Sequence, residues 1–249
     1  MRRLISAAAL VTLTMAMQQG ALAQSAQRAA AWASIGELPD WSGLWEPTFA
    51  QGLRNDRPEL TAEFAARQAE YMAAVQRGEI EDTPQANCVP NGMPAIMTQP
   101  YPIEFLFTPG KITILIEAYS QWRQIFTDGR EHPEDPDLTF NGHSIGRWEG
   151  DTLVVDTVGF TTDTFIGRGM QHSDQLRIVE RMHLRDDDTL EIETTLHDPQ
   201  ALTKPATSTR VYGRHPDWTL AEYVCQQNNR NFTTDDGKAG IDLEFEGEQ

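Results

Sequence analysis

The chain has 249 residues, of which 39% are hydrophobic, and its formal net charge is −17 at pH 7. Nucleic acids and anionic membrane surfaces are disfavoured as partners, because both would repel such an acidic protein. The length fits one large domain, or one domain with an added helical element.

The first residues have the three parts of a secretory signal. Arg2-Arg3 is a charged start, Leu4–Met17 is an apolar run, and Ala21-Leu22-Ala23 supplies small residues for cleavage. The apolar run is about 14 residues long, whereas a membrane span needs about 20. We therefore expect residues 1–23 to be a cleaved signal peptide and the mature protein to begin near Gln24. It would be periplasmic or secreted, with no membrane anchor after cleavage.

The remaining chain divides into three parts. Residues 24–40 are Ala-rich at their start and predict a flexible or loosely helical lead-in. Residues 41–231 predict a single β-rich domain with one helix over 61–77, which has an apolar stripe and ends at Gly78. Residues 232–249 form a polar, acidic tail that we expect to fray.

The β-rich region reads as hairpins between sequence neighbours. Short segments rich in β-branched and aromatic residues alternate with turn signals. Eight to ten strands of this kind predict a mainly β fold, an antiparallel meander that closes into a barrel and so removes its exposed edges. An open sheet packed against the helix is the alternative. The main predicted strands are 103–108, 112–118, 121–127, 144–148, 152–158, 176–185, 189–197, 207–213 and 219–225.

The chain contains two cysteines, Cys88 and Cys225. In an oxidising compartment such a pair predicts a disulfide, and two separate buried thiols are the alternative. The bridge would close a long loop and would stabilise the fold by about 4–5 kcal/mol in the loop-closure treatment.

Residues 142–157, with the sequence GHSIGRWEGDTLVVDT, resemble a family of exported, largely uncharacterised bacterial proteins. Residues 88–94 (CVPNGMP), 128–136 (DGREHPEDP) and 172–174 (HSD) are similar to blocks of the same family, as is the region of Cys225. The resemblance covers most of the chain between Trp41 and Asn231. It implies a lipocalin-like β-barrel and brings no settled activity with it.

Glu180 is a candidate general acid or base. Period-two alternation places it on one face of a strand with Ile178 and Met182, which are apolar. A buried, unpaired carboxylate would have a raised pKa, as a general acid requires. The alternative is a buried ion pair with an arginine such as Arg123 or Arg177.

Three further residues are candidates for proton transfer. His143 would stand opposite Asp156 if Glu149-Gly150 formed the hairpin turn, and a longer turn would change that register. A carboxylate beside an imidazole orients it for proton transfer. His172 lies on a loop, where functional residues often occur. Trp148, Arg123 and Phe126 are candidate ligand contacts, although core packing is the more frequent reason for such aromatic residues.

No cofactor is expected. The sequence lacks a phosphate-binding Gly loop, an H-E-x-x-H zinc motif and a C-x-x-C pair. A divalent metal is an alternative only if the fold brings His143, His172 and Glu180 together.

Three functions are compatible with the sequence. The first is a cofactor-independent acid–base enzyme, a lyase, isomerase or hydrolase, acting on a small molecule in a barrel pocket. The second is a non-catalytic periplasmic binder of a hydrophobic or aromatic ligand. The third is an envelope interaction protein with a filled barrel. The sequence carries no signal for an oligomeric state.

Overall fold

The computed structural model describes residues 23–48, 53–80, 88–225, 231–233 and 239–241. The predicted signal peptide, apart from Ala23, and much of the acidic tail lie outside the described residues. Export therefore stays a prediction from the sequence.

The described residues contain two α-helices, both in the first 80 residues. Residues 23–33 form helix α1, which a short 3₁₀ turn at Ser34–Glu37 follows. Helix α2 (Ala62–Gln76) lies where the apolar stripe predicts it. Thr61 occupies the N-cap position, but its hydroxyl donates a hydrogen bond to the Gln200 carbonyl at 2.8 Å instead of capping the helix. The start of α2 is therefore anchored to a distant loop.

The described residues also form thirteen β-strands. They are β1 (Leu44–Thr48), β2 (Ile103–Thr108), β3 (Lys111–Ile116), β4 (Gln121–Phe126), β5 (His143–Glu149), β6 (Thr152–Val158), β7 (Phe165–Gly167), β8 (Met170–Gln171), β9 (Arg177–Asp186), β10 (Thr189–His197), β11 (Ala206–His215), β12 (Asn231–Thr233) and β13 (Ala239–Ile241).

Nine of the strands close into a barrel in the order β1-β11-β10-β9-β6-β5-β4-β3-β2. The fold is thus mainly β and consistent with the predicted lipocalin-like barrel. Sequence neighbours pair as the meander predicts in β2-β3-β4, β5-β6 and β9-β10-β11. Three features depart from the predicted antiparallel meander: β1 closes the barrel between β11 and β2, β6 pairs with β9 past the small β7-β8 hairpin, and β4 pairs with β5 in parallel.

One pair of barrel strands is parallel. Strands β4 and β5 pair at Ile125–Ser144 and Phe126–Ile145 and then diverge. A parallel pair needs a long connection, because the chain must return to the end from which it started. Residues 127–142 supply that connection. Because β4 and β5 pair over only two residues each, an opening lies between them, and we call it the seam.

The barrel interior follows the predicted alternation. On β9, Ile178, Glu180 and Met182 are fully buried, as are Leu190 and Ile192 on β10. The other main part of the core is aromatic and includes Trp41 and Phe105, and the partly buried Trp148 packs against it. The ring of Trp41 lies 4.9 Å from that of Phe105 and 5.4 Å from that of Trp148, with edge-to-face geometry.

The end of the barrel near Met93 is covered by an irregular segment. Residues 93–98 contribute Met93, Ile96 and Met97 to the core. The predicted disulfide between Cys88 and Cys225 is present and joins the start of this segment to the chain after β11. Such a bond is typical of proteins in oxidising compartments. Among the described residues, no helix has the length and apolar character needed to cross a membrane.

Candidate functional site in the seam of the barrel

The seam between β4 and β5 opens into a groove of about 480 Å³, which we call the seam groove. Strands β4 and β5 contribute to its walls together with the connection 127–142, which we call the crossover segment. The groove therefore depends on the parallel pairing of the two strands. Its lining residues are Gln121, Trp122, Arg123, Gln124, Phe126, Pro133, Pro136, Asp137, Thr139, Phe140, Asn141, Gly142, His143 and Ser144.

Two histidines meet beside the groove. His132 comes from the crossover segment, and its Nδ1 lies 2.9 Å from Nδ1 of His143 at the start of β5. His132 Nε2 lies 3.8 Å from an Asp156 oxygen, which is longer than a hydrogen bond but within electrostatic reach. Arg177 in turn holds Asp156 through two hydrogen bonds of 2.8 and 2.6 Å. A line of four ionisable groups therefore ends at His143.

The position of the charge favours one pair of tautomers, which we assign from the contacts. A proton on His132 Nε2 faces the Asp156 carboxylate, so His132 Nδ1 is left as an acceptor. His143 then donates its Nδ1–H to His132. Its Nε2 keeps a free lone pair and has no hydrogen-bond partner among the described residues. His143 is thereby arranged to accept a proton from a molecule in the groove.

The electrostatics keep both imidazoles neutral near pH 7. Burial lowers the pKa of His143, and the neighbouring His132 and Arg130 lower it further. Burial also lowers the pKa of His132, although Asp156 opposes this shift. A neutral imidazole is the form that can act as a general base.

Aromatic side chains border the groove, and the Trp122 ring is the exposed one among them. The Trp122 side chain is 58% exposed, which is unusual for so large an apolar group. Phe126 stacks on the His143 ring with 5.4 Å between centroids, and the Arg130 guanidinium lies 3.9 Å above the Phe126 ring. A flat molecule in the groove could therefore stack on Trp122, whereas the Phe126 ring is already in contact with His143 and Arg130.

An unused acceptor lies at the edge of the groove. The Asn141 side-chain amide donates to the Trp122 carbonyl at 3.1 Å, across the point where β4 and β5 have diverged. Its Oδ1 is buried and has no partner among the described residues. Gly142 follows with φ of +66°, and a Cβ there would lie 2.7 Å from the Val158 carbonyl oxygen. A glycine is therefore needed for His143 to take up its position.

The β5–β6 register decides between the two arrangements left open by the sequence. Glu149 pairs with Thr152, so the turn is Gly150-Asp151 rather than Glu149-Gly150. His143 stands opposite Val158, and Asp156 stands opposite Ile145. Direct pairing of His143 with Asp156 is therefore wrong. The two side chains share the outer face on a diagonal, and His132 lies between them.

Glu180 forms the buried ion pair that was the alternative to a catalytic role. Its two oxygens accept hydrogen bonds of 3.1 and 2.7 Å from Arg123, and neither side chain is exposed beyond 1%. Arg123 also donates to the hydroxyls of Ser144 and Thr157, both at 3.2 Å. The predicted partner Arg177 binds Asp156 instead. Glu180 is thus held as a charged, paired group in the barrel interior.

His172 is buried in a loop and uses both ring nitrogens. Its Nδ1 donates to the Ser173 carbonyl at 2.8 Å, and its Nε2 lies 2.7 Å from the Thr164 hydroxyl. Burial lowers its pKa, although the Ser173 carbonyl and Asp198 oppose this shift. Asp198 also accepts from the Ser173 amide and hydroxyl, both at 2.7 Å. The contacts of His172 therefore indicate a structural role, in which it holds the loop residues Thr164 and Ser173 in place.

The other predicted ligand contacts separate in space. Phe126 and Arg123 border the seam groove, whereas Trp148 packs in the core against Trp41 and Phe107. His143, His172 and Glu180 occupy the outer face, a loop and the interior respectively. Among the described residues, no group of three or more His, Cys, Asp or Glu side chains could hold a metal ion.

His132 is the residue whose role the sequence reveals least. It lies in a segment rich in Pro and acidic residues, which predicts a turn without assigning it a partner. Only the crossover geometry brings it to His143. Asn141 gives no sequence signal either, because its importance rests on one unpartnered oxygen.

Comparison with protein families and with curated proteins assigns the chain to no family. No family model matches the chain, and no curated protein matches it. The resemblance to a family of exported bacterial proteins stays a prediction.

Proposed function

We propose that the protein is an exported, cofactor-independent acid–base enzyme that handles a small molecule in the seam groove. The line from Asp156 through His132 to His143 carries the proposal, because it leaves a neutral imidazole nitrogen free beside an open groove. The barrel fold is compatible with small-molecule binding.

In the proposed reaction, His143 Nε2 removes a proton from a bound molecule or from a water beside it. The positive charge then spreads toward His132, whose Nε2–H faces Asp156, and the carboxylate stabilises it. Because Arg177 neutralises part of the Asp156 charge, we expect the stabilisation to be moderate. The same proton can return to the product, as in a lyase or an isomerase, or to a leaving group, as in a hydrolase.

The exposed ring of Trp122 favours a molecule with a flat apolar part. The same ring supports a second candidate function, a binder without chemistry. In that case the groove would hold its ligand unchanged.

The test begins by screening small aromatic and carbonyl compounds for binding by saturation-transfer NMR. Each compound that binds is then incubated with the protein in D₂O and examined for deuterium at carbon and for new products. His143→Ala should lower turnover by about 10²- to 10⁴-fold, as loss of a general base does. His183→Ala, a histidine on the outer face of β9, should leave turnover unchanged.

The outcomes separate the two functions. Turnover that survives in the His143→Ala variant removes His143 from the mechanism. Tight binding without deuterium incorporation or product in the wild-type protein leaves the non-catalytic binder.

A further inference from the structure

The inward face of β11 carries two arginines. Alternation turns Ala206, Ser208, Arg210, Tyr212 and Arg214 toward the barrel interior, because Tyr212 belongs to the core and its hydroxyl donates to the Met97 carbonyl at 2.5 Å. Together with Arg123 on β4, the interior therefore receives three guanidinium groups.

Two of the three arginines have a carboxylate partner. Arg123 pairs with Glu180 at 2.7 Å, and Arg214 lies 3.5 Å from an Asp40 oxygen. Arg210 is partly buried and has no hydrogen bond or ion pair within the part of the chain that the structure describes. An inward-facing cation without a counter-ion is expensive, because burial removes the water that would solvate it.

Arg210 borders a cavity of about 200 Å³, which we call the inner cavity. Two hydroxyl groups stand beside it: Thr194 pairs directly with Ser208 across β10 and β11, and Ser208 is two residues from Arg210 on the same face. Neither hydroxyl has a hydrogen-bond partner among the described residues. One wall of the inner cavity thus offers three unused donors.

The carboxylates that also border the inner cavity are already engaged. Both oxygens of Glu180 bind Arg123, and Asp56 is held by Arg54 at 2.7 Å and by the Thr207 amide at 3.3 Å. Arg210 therefore leaves the cavity with one uncompensated positive charge. The rest of the lining is largely apolar and includes Met93 and Met97, as well as Ile192 and Leu196, which flank Thr194 on β10.

We propose that the inner cavity binds a small organic carboxylate, with its acid group on Arg210, Ser208 and Thr194 and its apolar part against the methionines. Arginine binds a carboxylate through two parallel hydrogen bonds, which matches an unpaired guanidinium at a cavity wall. A cavity of about 150 Å³ holds benzene, so the inner cavity suits an acid built on a single ring or a short chain. This site is separate from the seam groove and does not depend on its function.

Isothermal titration calorimetry with benzoate, hexanoate and neutral benzamide tests the proposal. At least one of the acids should bind with 1:1 stoichiometry, and benzoate should bind at least about tenfold more tightly than benzamide. Arg210→Ala should weaken binding of the acids at least about tenfold, whereas Arg210→Lys should weaken it less because the charge remains. Trp122→Ala, which alters the seam groove, should leave the affinity unchanged.

Thermal unfolding of each variant without ligand shows that the fold is retained, and Arg210→Gln provides a second variant of similar size. The proposal is overturned if neither acid binds the wild-type protein below about 10 mM, a free energy near −3 kcal/mol. It is also overturned if Arg210→Gln binds the acids as tightly as the wild type, or if benzamide matches benzoate.

Discussion

The barrel interior around Arg123 and the outer face around His143 both contain clusters of ionisable groups, but the two clusters differ in whether the candidate acid or base keeps an unpaired atom. In the interior, Glu180 has both oxygens bound by Arg123, which also reaches two hydroxyls and the Met93 sulfur. On the outer face, the line of charged groups ends in a nitrogen of His143 that no described residue uses. Under the proposed function, burial is therefore a poor indicator of chemistry in this protein, and an unused polar atom beside a cavity is a better one.

The largest predicted effect breaks the interior arrangement. Arg123→Met leaves the Glu180 carboxylate buried without a partner, and we expect it to lower the free energy of unfolding by about 3–5 kcal/mol. Chemical denaturation of the purified protein measures this loss.

The double variant Arg123→Met with Glu180→Leu is the matched test, since it removes both charges at once. It should recover most of the lost stability, because the uncompensated charge and not the missing contact causes the loss. An exposed ion pair supplies the control: Arg181→Ala breaks a 3.0 Å contact with Glu149 and should cost no more than about 1 kcal/mol. A double variant as unstable as Arg123→Met would contradict this account.

A smaller effect concerns His172, whose two ring nitrogens are both occupied. Burial lowers its pKa in the folded protein below the ordinary value of 6.5, so the unfolded chain binds more protons as the pH falls. The stability that the neutral His172 contributes is thus complete above pH 6.5 and is lost as the pH falls from there toward the folded pKa. Each pKa unit corresponds to about 1.4 kcal/mol.

Denaturation curves at pH 7 and pH 5 measure this dependence. The wild-type protein should lose more stability between the two pH values than a His172→Gln variant, in which that titration is absent. An equal loss in the two proteins would show that His172 does not contribute to the pH dependence.

Much of the barrel could be predicted from the sequence, because it depends on short-range patterns. Alternation on β9 placed Glu180 inward, and the two arginines offered as its partner, Arg123 and Arg177, included the correct one. The cysteine pair followed from the expected compartment. These predictions needed only the position of a residue within its strand and the general free-energy cost of burying an unpaired charge.

The seam could not be predicted, because it depends on the β5–β6 register and on the β4–β5 pairing, and the sequence does not decide between the alternatives for either. A turn one residue later in the β5–β6 hairpin moves Asp156 from a position opposite His143 to a diagonal one. The parallel β4–β5 pair interrupts the run of hairpins, and the connection that it requires carries His132 to His143. Arg210 could not be singled out from the sequence. Its importance rests on having no carboxylate partner among the described residues, and only the packed structure shows which side chains surround it.

Histidine NMR titration tests the central claim, that the outer face holds a neutral base with one free nitrogen. Long-range ¹H–¹⁵N spectra report the protonation state and tautomer of each imidazole. We predict that His143 at pH 7 is neutral, carries its proton on Nδ1 and titrates below 6.5. His132→Ala should raise the pKa of His143, since the neighbouring ring lowers it, and Asp156→Asn should lower the pKa of His132. A His143 that titrates at or above 6.5, or that carries its proton on Nε2, would contradict the account.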